Sequence, residues 1–219
     1  MFFCPATAAL ILVYKENKTA GVTALLTRSF DLKRIQEKIW YAPIILLMPG
    51  IFGLSYALMH LMGVPLPAPQ FSPLAPIVLF AAFFIAALGE ELGWSGYAID
   101  PMQERWGALQ ASILLGFVWA VWYIVPYMEA HRAPGWILGQ CLFTVAGRVL
   151  TVWLYNNTGK SVFAAVVFHD MSNVCWLLFP IDDTYYDPCV TGLIVAVVAA
   201  MVSVVWGPRT LARHTKMPE

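Results

Sequence analysis

Apolar stretches long enough to form membrane helices follow one another along almost the whole chain. They cover approximately residues 1–14, 41–63, 75–98, 107–127, 135–156, 161–179 and 189–206, and each is bounded by charge, proline or glycine. A bilayer core needs roughly 20 apolar residues per helix, so a chain of 219 residues holds about seven such segments, the first of them short. The sequence therefore predicts an all-α, polytopic transmembrane helix bundle.

Composition supports a membrane protein and excludes other classes. Hydrophobic residues make up 60% of the chain and charged residues 12%, with a mean hydropathy of +0.69, which lies outside the usage of soluble globular domains. The formal net charge is zero, so the basic footprint of a nucleic-acid-binding protein is missing. The partners expected from composition are therefore membrane lipids, with no nucleic acid.

The segment between the first two apolar stretches differs from the rest. Residues 15–38 carry six basic residues, interleaved with the apolar residues Leu25, Leu26, Phe30, Leu32 and Ile35. A basic amphipathic pattern of this kind is typical of a helix that lies in the membrane interface. We therefore predict an interfacial amphipathic helix in this segment, in addition to the spans.

Positive charge is distributed unevenly between alternate loops. One predicted side holds the six basic residues of 15–39 together with Arg105, Lys160, Arg209, Arg213 and Lys216, whereas the other side holds only Arg132. Lysine and arginine concentrate on the cytoplasmic side of membrane proteins. The prediction is a multi-pass protein of the cell membrane with its N-terminus outside and its C-terminus in the cytoplasm.

A few ionisable residues fall inside the apolar segments. They are His60, Glu90, Glu91, Arg148, His169 and Asp170. An ionised side chain at the bilayer centre costs about 2.5–3.5 kcal/mol on insertion scales, so each of these residues is by default a functional hypothesis. Asp170 lies about 100° round a helix from His169, and Arg148 on the preceding helix is a candidate counter-charge for it.

His169 and Asn173 are four residues apart and share one face of a helix. A carboxylate, an imidazole and an amide in a dry cavity suit metal-assisted hydrolysis, in which Glu takes a proton from water while His and Asn hold a metal or that water. The structural alternative is that His169 and Asn173 are hydrogen-bond partners between helices. From the residues alone, both interpretations stay open.

Three motifs resemble those of the CAAX-protease and bacteriocin-processing (CPBP) family of intramembrane metalloproteases, which includes type II CAAX prenyl endopeptidases and bacteriocin self-immunity proteins. Family members carry Glu-Glu-x-x-x-Arg, then Phe-x-x-x-His or a close variant, then His-x-x-x-Asn. This chain has Glu90-Glu91 followed by Ser95, then Trp119 followed by Tyr123, then His169 followed by Asn173. The flanking text is also similar, in Gly93-Trp94, Gly96-Tyr97 and the run from Trp153 to Gly159.

The resemblance implies a single membrane-embedded protease domain over residues 1–219, without a first helix that many relatives possess. It implies that Glu90 is the general base and Glu91 a neighbouring structural or tuning acid. It also implies that His169 and Asn173, with Glu90, hold a divalent metal such as zinc or the catalytic water. The implied substrate is a membrane-associated peptide or protein.

Two motif positions depart from the family pattern. Ser95 replaces the motif Arg, so Glu91 needs another cation or must stay protonated. Tyr123 replaces the motif His, and a phenol is a poorer zinc ligand than an imidazole, although its hydroxyl can orient water. Straight helices would hold Glu90 and Tyr123 at different depths, so we predict a break or tilt near residues 89–93.

Two other functions compete with the peptidase. A catalytically silent relative would keep the scaffold as an immunity protein or as a binder of peptide or lipid, and Ser95 and Tyr123 favour this alternative. A transporter would use Glu90, Glu91 and Asp170 as an ion pathway. The sequence lacks the internal symmetry and the paired interrupted helices that transporters often show.

Overall fold

The computed structural model describes residues 2–68, 70, 72–180 and 184–212, and these form helices joined by turns. The helices are α1 (Cys4–Thr27), α2 (Tyr41–Leu61), α3 (Ala75–Trp106), α4 (Ala108–Glu129), α5 (Pro134–Asn157), α6 (Val162–Leu178) and α7 (Pro188–Trp206). The predicted all-α membrane bundle of about seven segments is confirmed. From α2 onwards, most helix ends fall within about two residues of their predicted places; the exception is α3, which runs on to Trp106.

One helix forms the centre of the bundle. Helices α2, α3, α4, α5 and α7 are long and apolar enough to cross a bilayer, and α6 is a shorter apolar helix. In the apolar 18-residue stretch of α5, 72% of the residues are buried, against 28–33% in the corresponding stretches of the other four long helices. Helix α5 is therefore enclosed by protein, whereas the other long helices keep faces that suit lipid.

The start of the chain differs from its prediction. We predicted a short span over residues 1–14, but α1 continues to Thr27 with a sharp bend at Lys18, where φ is 55° and ψ is −149°. A Cβ added to Gly21 would stand 2.5 Å from the Cβ of Asn17 and 2.8 Å from the side chain of Val13. The two arms of α1 thus double back on each other, which lets buried residues of both arms pack in the bundle.

The predicted interfacial helix over 15–38 is also wrong in form. Its first part belongs to α1, and its second part consists of three 3₁₀ turns, Arg28–Phe30, Leu32–Arg34 and Lys38–Trp40. We call residues 28–40 the strap. Ile35 of the amphipathic pattern is buried in the bundle, whereas Phe30 and Leu32 are exposed. Periodicity alone predicted a helix because it carries no information about tertiary hydrogen bonds.

Those tertiary hydrogen bonds tie the strap to two helices. Arg28 donates to the carbonyl oxygen of Gly96 in α3 at 2.8 Å. Asp31 accepts from the first amides of α6, those of Val162 and Phe163, at 3.2 and 3.1 Å. An acidic side chain at a helix N-terminus satisfies amides that have no partner within the helix. The strap therefore holds α3 at Gly96 and α6 at its N-terminal end, and these two helices carry Glu90, Glu91, His169 and Asn173.

The segments that we predicted to share the cytoplasmic side meet at one end of the bundle. Asn156, at the end of α5, donates to Gln103 of α3 at 2.6 Å and to the carbonyl oxygen of Thr210 at 2.8 Å. The amide of Ala108 donates to the carbonyl oxygen of Arg209 at 2.9 Å. Arg213 and Lys216 lie outside the described residues. The grouping agrees with the charge pattern, and the orientation across the membrane stays a prediction.

Helix α3 contains the irregularity that we expected, but it lies later in the chain. We predicted a break near residues 89–93, and the structure has a π-helical turn at Trp94–Ala98. Gly93 remains α-helical, and α1 packs against it, since a Cβ there would stand 2.5 Å from backbone atoms of Pro5. The glycine thus permits close helix packing rather than a break.

This close approach predicts a site-specific loss of stability. Gly93→Ala places a methyl group against the backbone of Pro5, so the first arm of α1 must shift, and overpacking of this kind costs about 1–3 kcal/mol. Gly53→Ala is the matched control, because its Cβ would meet nothing within 4 Å. We expect a lower thermal midpoint in detergent for Gly93→Ala only; equal midpoints for the two variants would contradict this packing.

Candidate active site

A fully buried ion pair joins α3 and α5 within the bundle. The Nη1 and Nη2 atoms of Arg148 donate to the two carboxylate oxygens of Glu91 at 2.8 and 2.7 Å. Neither side chain is exposed to solvent. The hydroxyl of Ser95, one turn further along α3, donates to the same carboxylate. Arg148 therefore supplies the cation for Glu91 that Ser95 does not.

His169 of α6 is attached to the same carboxylate. Its Nδ1 lies 3.0 Å from Oε1 of Glu91. An ionised carboxylate only accepts hydrogen bonds, so Nδ1 must carry the proton in this contact. The other ring nitrogen, Nε2, takes no part in the hydrogen bond to Glu91. The ring of Trp119 packs against the imidazole edge-on, with 4.8 Å between ring centroids. These two contacts fix the ring orientation of His169.

Glu90 has different partners from Glu91. Its carboxylate accepts from the indole Nε1 of Trp119 at 2.7 Å and from the hydroxyl of Tyr123 at 2.8 Å. Both donors belong to α4, where they lie four residues apart and so share a face. The side chains of Glu90 and Tyr123 thus meet, although straight helices would hold them at different depths. Each oxygen of Glu90 keeps acceptor capacity beyond the single hydrogen bond that it receives.

A cavity of about 180 Å³ lies beside these residues. His169, Asn173, Trp119 and Tyr123 contribute to its wall. The remaining lining is mostly aromatic and apolar, with a few hydroxyl and amide groups: Phe2, Met48, Phe83, Tyr127, Gln140, Phe143, Thr144, Gly147, Thr151, Phe168, Ser172 and Trp176. Within the described part of the chain, the side-chain amide of Asn173 has no hydrogen-bond partner, so it is available to a molecule in the cavity.

The predicted site residues are therefore gathered in one region, but not in the predicted pairs. His169, Asn173 and Tyr123 line a common cavity, whereas Glu90 lies behind Tyr123 and Trp119 and does not line it. The carboxylate in contact with His169 belongs to Glu91 and not to Glu90. The indole of Trp119 contacts both groups and joins the two halves of the site. The catalytic roles that we assigned to these residues remain predictions.

The donors do not fit the zinc site that the resemblance implies. Over the described residues, no three His, Cys, Asp or Glu side chains converge to hold an ion. Of the predicted ligands Glu90, His169 and Asn173, only His169 and Asn173 line the cavity. Zinc in a catalytic site is held by three protein ligands, with imidazole and thiolate preferred. Here the imidazole of His169 and the amides of Asn173 and Gln140 line the cavity, and we assign no chemical step to a metal.

The partners of Arg148 and Trp119 are what sequence reasoning missed. Arg148 was paired with Asp170, and that assignment is wrong because its guanidinium points to Glu91. Helical spacing gives the angle between two residues on one helix but not which neighbouring helix each one faces. Trp119 stands where the family's second motif begins, and this position is the signal that pointed to it.

Asp170 is left without its expected counter-charge. It is fully buried, and in the described region neither of its carboxylate oxygens has a hydrogen-bond partner. An ionised carboxylate without a partner is very costly in such surroundings. Asp170 thus contrasts with Glu91, a second buried acid whose two oxygens are both occupied.

Comparison with known proteins bears on this arrangement. A family model described as Rce1-like, type II CAAX prenyl endopeptidase, matches residues 72–175, a range that contains all five predicted site residues. The chain is also 29% identical over 218 residues to CAAX prenyl protease 2 of Methanococcus maripaludis, covering 90% of this chain and 77% of that protein.

The chain is similar to the Rce1-like family of type II CAAX prenyl endopeptidases over residues 72–175. The resemblance stated from the three motifs is thereby confirmed. The match to this family model, together with the apolar helices, indicates a multi-pass membrane protein that is similar to intramembrane proteases. The five site residues lie in the matched part, on α3, α4 and α6.

Glu91 and Asp170 are both fully buried, and opposite responses to the loss of charge are expected from them. Glu91→Leu leaves the guanidinium of Arg148 buried and unpaired, and breaking a buried pair in this way costs about 3–5 kcal/mol. Asp170→Leu removes a carboxyl group that makes no hydrogen bond in the described structure, so we expect stability to be unchanged or raised. Thermal midpoints in detergent measure both effects. A large loss for Asp170→Leu would mean that a partner holds its carboxyl group.

Proposed function

We propose that this protein is an intramembrane endopeptidase that hydrolyses a peptide bond in a membrane-associated peptide or protein, with Glu90 as the general base. The observation that carries the proposal is the hydrogen bond from Tyr123 to Glu90 at the wall of a cavity that His169 and Asn173 also line. The relay and two water-holding groups thereby border one space, and the carboxylate base lies behind the relay.

The proposed reaction uses this chain's own residues. A water in the cavity is held by Nε2 of His169 and by the amide of Asn173. The water gives a proton to the hydroxyl of Tyr123 as that hydroxyl passes its own proton to Glu90, so the phenol carries no net charge afterwards. The hydroxide oxygen then adds to the scissile carbonyl carbon.

Bond cleavage returns the proton. As the tetrahedral intermediate collapses, the carbon–nitrogen bond breaks and the leaving amine receives the proton from Glu90 by the same route. Glu90 and Tyr123 are then restored. Tyr123 thus has a defined task at the position where the family pattern has a histidine, because its hydroxyl both lines the cavity and contacts the base.

This proposal predicts graded losses of activity. Glu90→Gln removes the base and is expected to lower cleavage of a membrane-associated peptide by about 100- to 10,000-fold. Tyr123→Phe keeps the ring and removes the relay, which is expected to cost roughly 10- to 100-fold. Cleavage is measured with purified protein in detergent or bilayers. Glu104→Gln, at an exposed carboxylate on α3, is the matched control and should cleave at the parent rate.

Two outcomes would contradict the proposal. Equal rates for Glu90→Gln and the parent would remove Glu90 as the base. Loss of the parent's cleavage on treatment with a chelator, with recovery on adding Zn²⁺, would mean that a metal supplies the activation that we assign to Glu90 and Tyr123.

A second candidate is a catalytically silent relative that holds a peptide or lipid in the cavity. The observation in its favour is that both carboxylates are already engaged, Glu90 by Trp119 and Tyr123, and Glu91 by Arg148, Ser95 and His169. Such a protein would bind membrane peptides without cleaving them.

Restoring the motif histidine separates the two candidates. If the site is silent only because of Tyr123, we expect Tyr123→His to create cleavage from an inactive parent. If the parent is an enzyme, Tyr123→His is expected to change an existing rate, because an imidazole can also pass a proton to Glu90. Parent and variant are compared on the same peptide. An active parent discards the silent alternative.

A further inference from the structure

Position 95 is where the family motif carries an arginine, and this chain has a serine there. Ser95 is buried, with 1% of its surface exposed, and its hydroxyl donates to Glu91. A serine brings no charge to a carboxylate that is itself fully buried. The cation that Glu91 requires must therefore come from another element.

The guanidinium of Arg148 on α5 lies beside Ser95 and the carboxylate of Glu91. Its Nη1 lies 3.4 Å from the hydroxyl oxygen of Ser95 and 2.8 Å from Glu91. The guanidinium meets the carboxylate with both Nη atoms, and a paired contact of this kind fixes the plane of the carboxylate as well as its position.

We propose that Arg148 is the positioning residue of this site, and that it makes from α5 the contact with Glu91 that an arginine at position 95 would make from α3. The inference rests on the proposed function only in that His169 and Glu90 serve the reaction. Arg148 itself touches neither cavity nor substrate, so it acts through its neighbours.

Two routes lead from Arg148 to the reacting groups. Oε1 of Glu91 accepts from Nη2 of Arg148 at 2.7 Å and lies 3.0 Å from Nδ1 of His169, so the guanidinium fixes the atom that orients the imidazole. The guanidinium carbon also lies 4.4 Å from the centre of the Trp119 ring, and the indole nitrogen of Trp119 holds Glu90. One cation thus aligns the imidazole and the base.

A purely structural ion pair would have different consequences. If Arg148 only neutralises Glu91, its loss lowers stability and leaves the ring of His169 in the same tautomer. If Arg148 positions the site, its loss frees the carboxylate to turn, so that His169 no longer keeps the proton on Nδ1 alone. The protonation of the two ring nitrogens, read from their NMR shifts, distinguishes these consequences without any need for activity.

The test moves the arginine from one helix to the other. Arg148→Met removes the cation and keeps an unbranched side chain, and Ser95→Arg with Arg148→Met returns the cation from α3 into the vacated space. Arg105→Met is the control for loss of an arginine, because Arg105 is exposed and packs on Trp106. Each protein is measured in detergent for thermal midpoint, for the ring-nitrogen shifts of His169 and for peptide cleavage.

We expect Arg148→Met to lower the midpoint, to give mixed tautomers at His169 and to reduce cleavage on the order of 100-fold, as misplacement of a reacting group does. The relocated arginine is expected to restore the parent ring pattern and most of the cleavage. Parent ring shifts in folded Arg148→Met overturn the proposal, as does a folded relocation variant that keeps mixed tautomers.

Two further results have fixed meanings. If Arg148→Met does not fold, Arg148→Lys replaces it: a single amine cannot hold both oxygens, so mixed tautomers support the proposal and parent-like shifts overturn it. If the parent protein cleaves nothing, the proposed function fails, while the ring shifts still decide the role of Arg148.

Discussion

Charge that is buried among membrane helices has to be matched by other protein groups, and one such match organises this bundle. Arg148 and Glu91 are both fully enclosed by protein, so bulk water does not solvate either charge. The desolvation of two charges is recovered only when the geometry is good and the remaining hydrogen-bonding groups are satisfied. Here the carboxylate also receives Ser95 and contacts His169, so four side chains from three helices share one polar centre.

The position of this centre follows from the role of α5. Helix α5 is the most enclosed of the long helices, so a side chain in its middle faces protein on every side. An arginine placed there contacts α3 through Glu91 and α4 through Trp119. The ion pair therefore links the helix that carries both glutamates to the helix that carries Tyr123, and the cavity forms beside this link.

Much of this architecture could be predicted from the sequence, for identifiable reasons. Apolar runs set the helices from α2 onwards because the bilayer imposes their length and composition. Ionisable side chains in apolar segments identified Glu90, Glu91 and His169, helical spacing added Asn173, and the family resemblance added Tyr123. The partners of these residues could not be predicted from the sequence in the same way. Which helix Arg148 faces depends on how α5 packs, and no periodic pattern in a single helix contains that information.

Local pattern also failed where side chains replace backbone hydrogen bonds. The strap was predicted as an amphipathic helix because its apolar and basic residues alternate suitably. In the structure, the side chain of Arg28 donates to α3 and that of Asp31 accepts from α6. These contacts hold the strap in place, so its backbone forms short turns and not a continuous helix. The doubling back of α1 at Lys18 has no sequence signal that we recognise, since lysine does not favour that backbone conformation.

The π-helical turn at Trp94–Ala98 has a consequence for how this helix tolerates change in length. One additional residue in a helix rotates everything beyond it by about 100° relative to the preceding part. Glu90 and Glu91 lie before the turn, whereas Asp100 and Gln103, which contact α5, lie after it. The turn thus sets the angle about the helix axis between the two glutamates and the residues Asp100 and Gln103. Removal of a single residue there would leave α3 helical while directing one of these two groups away from its partners.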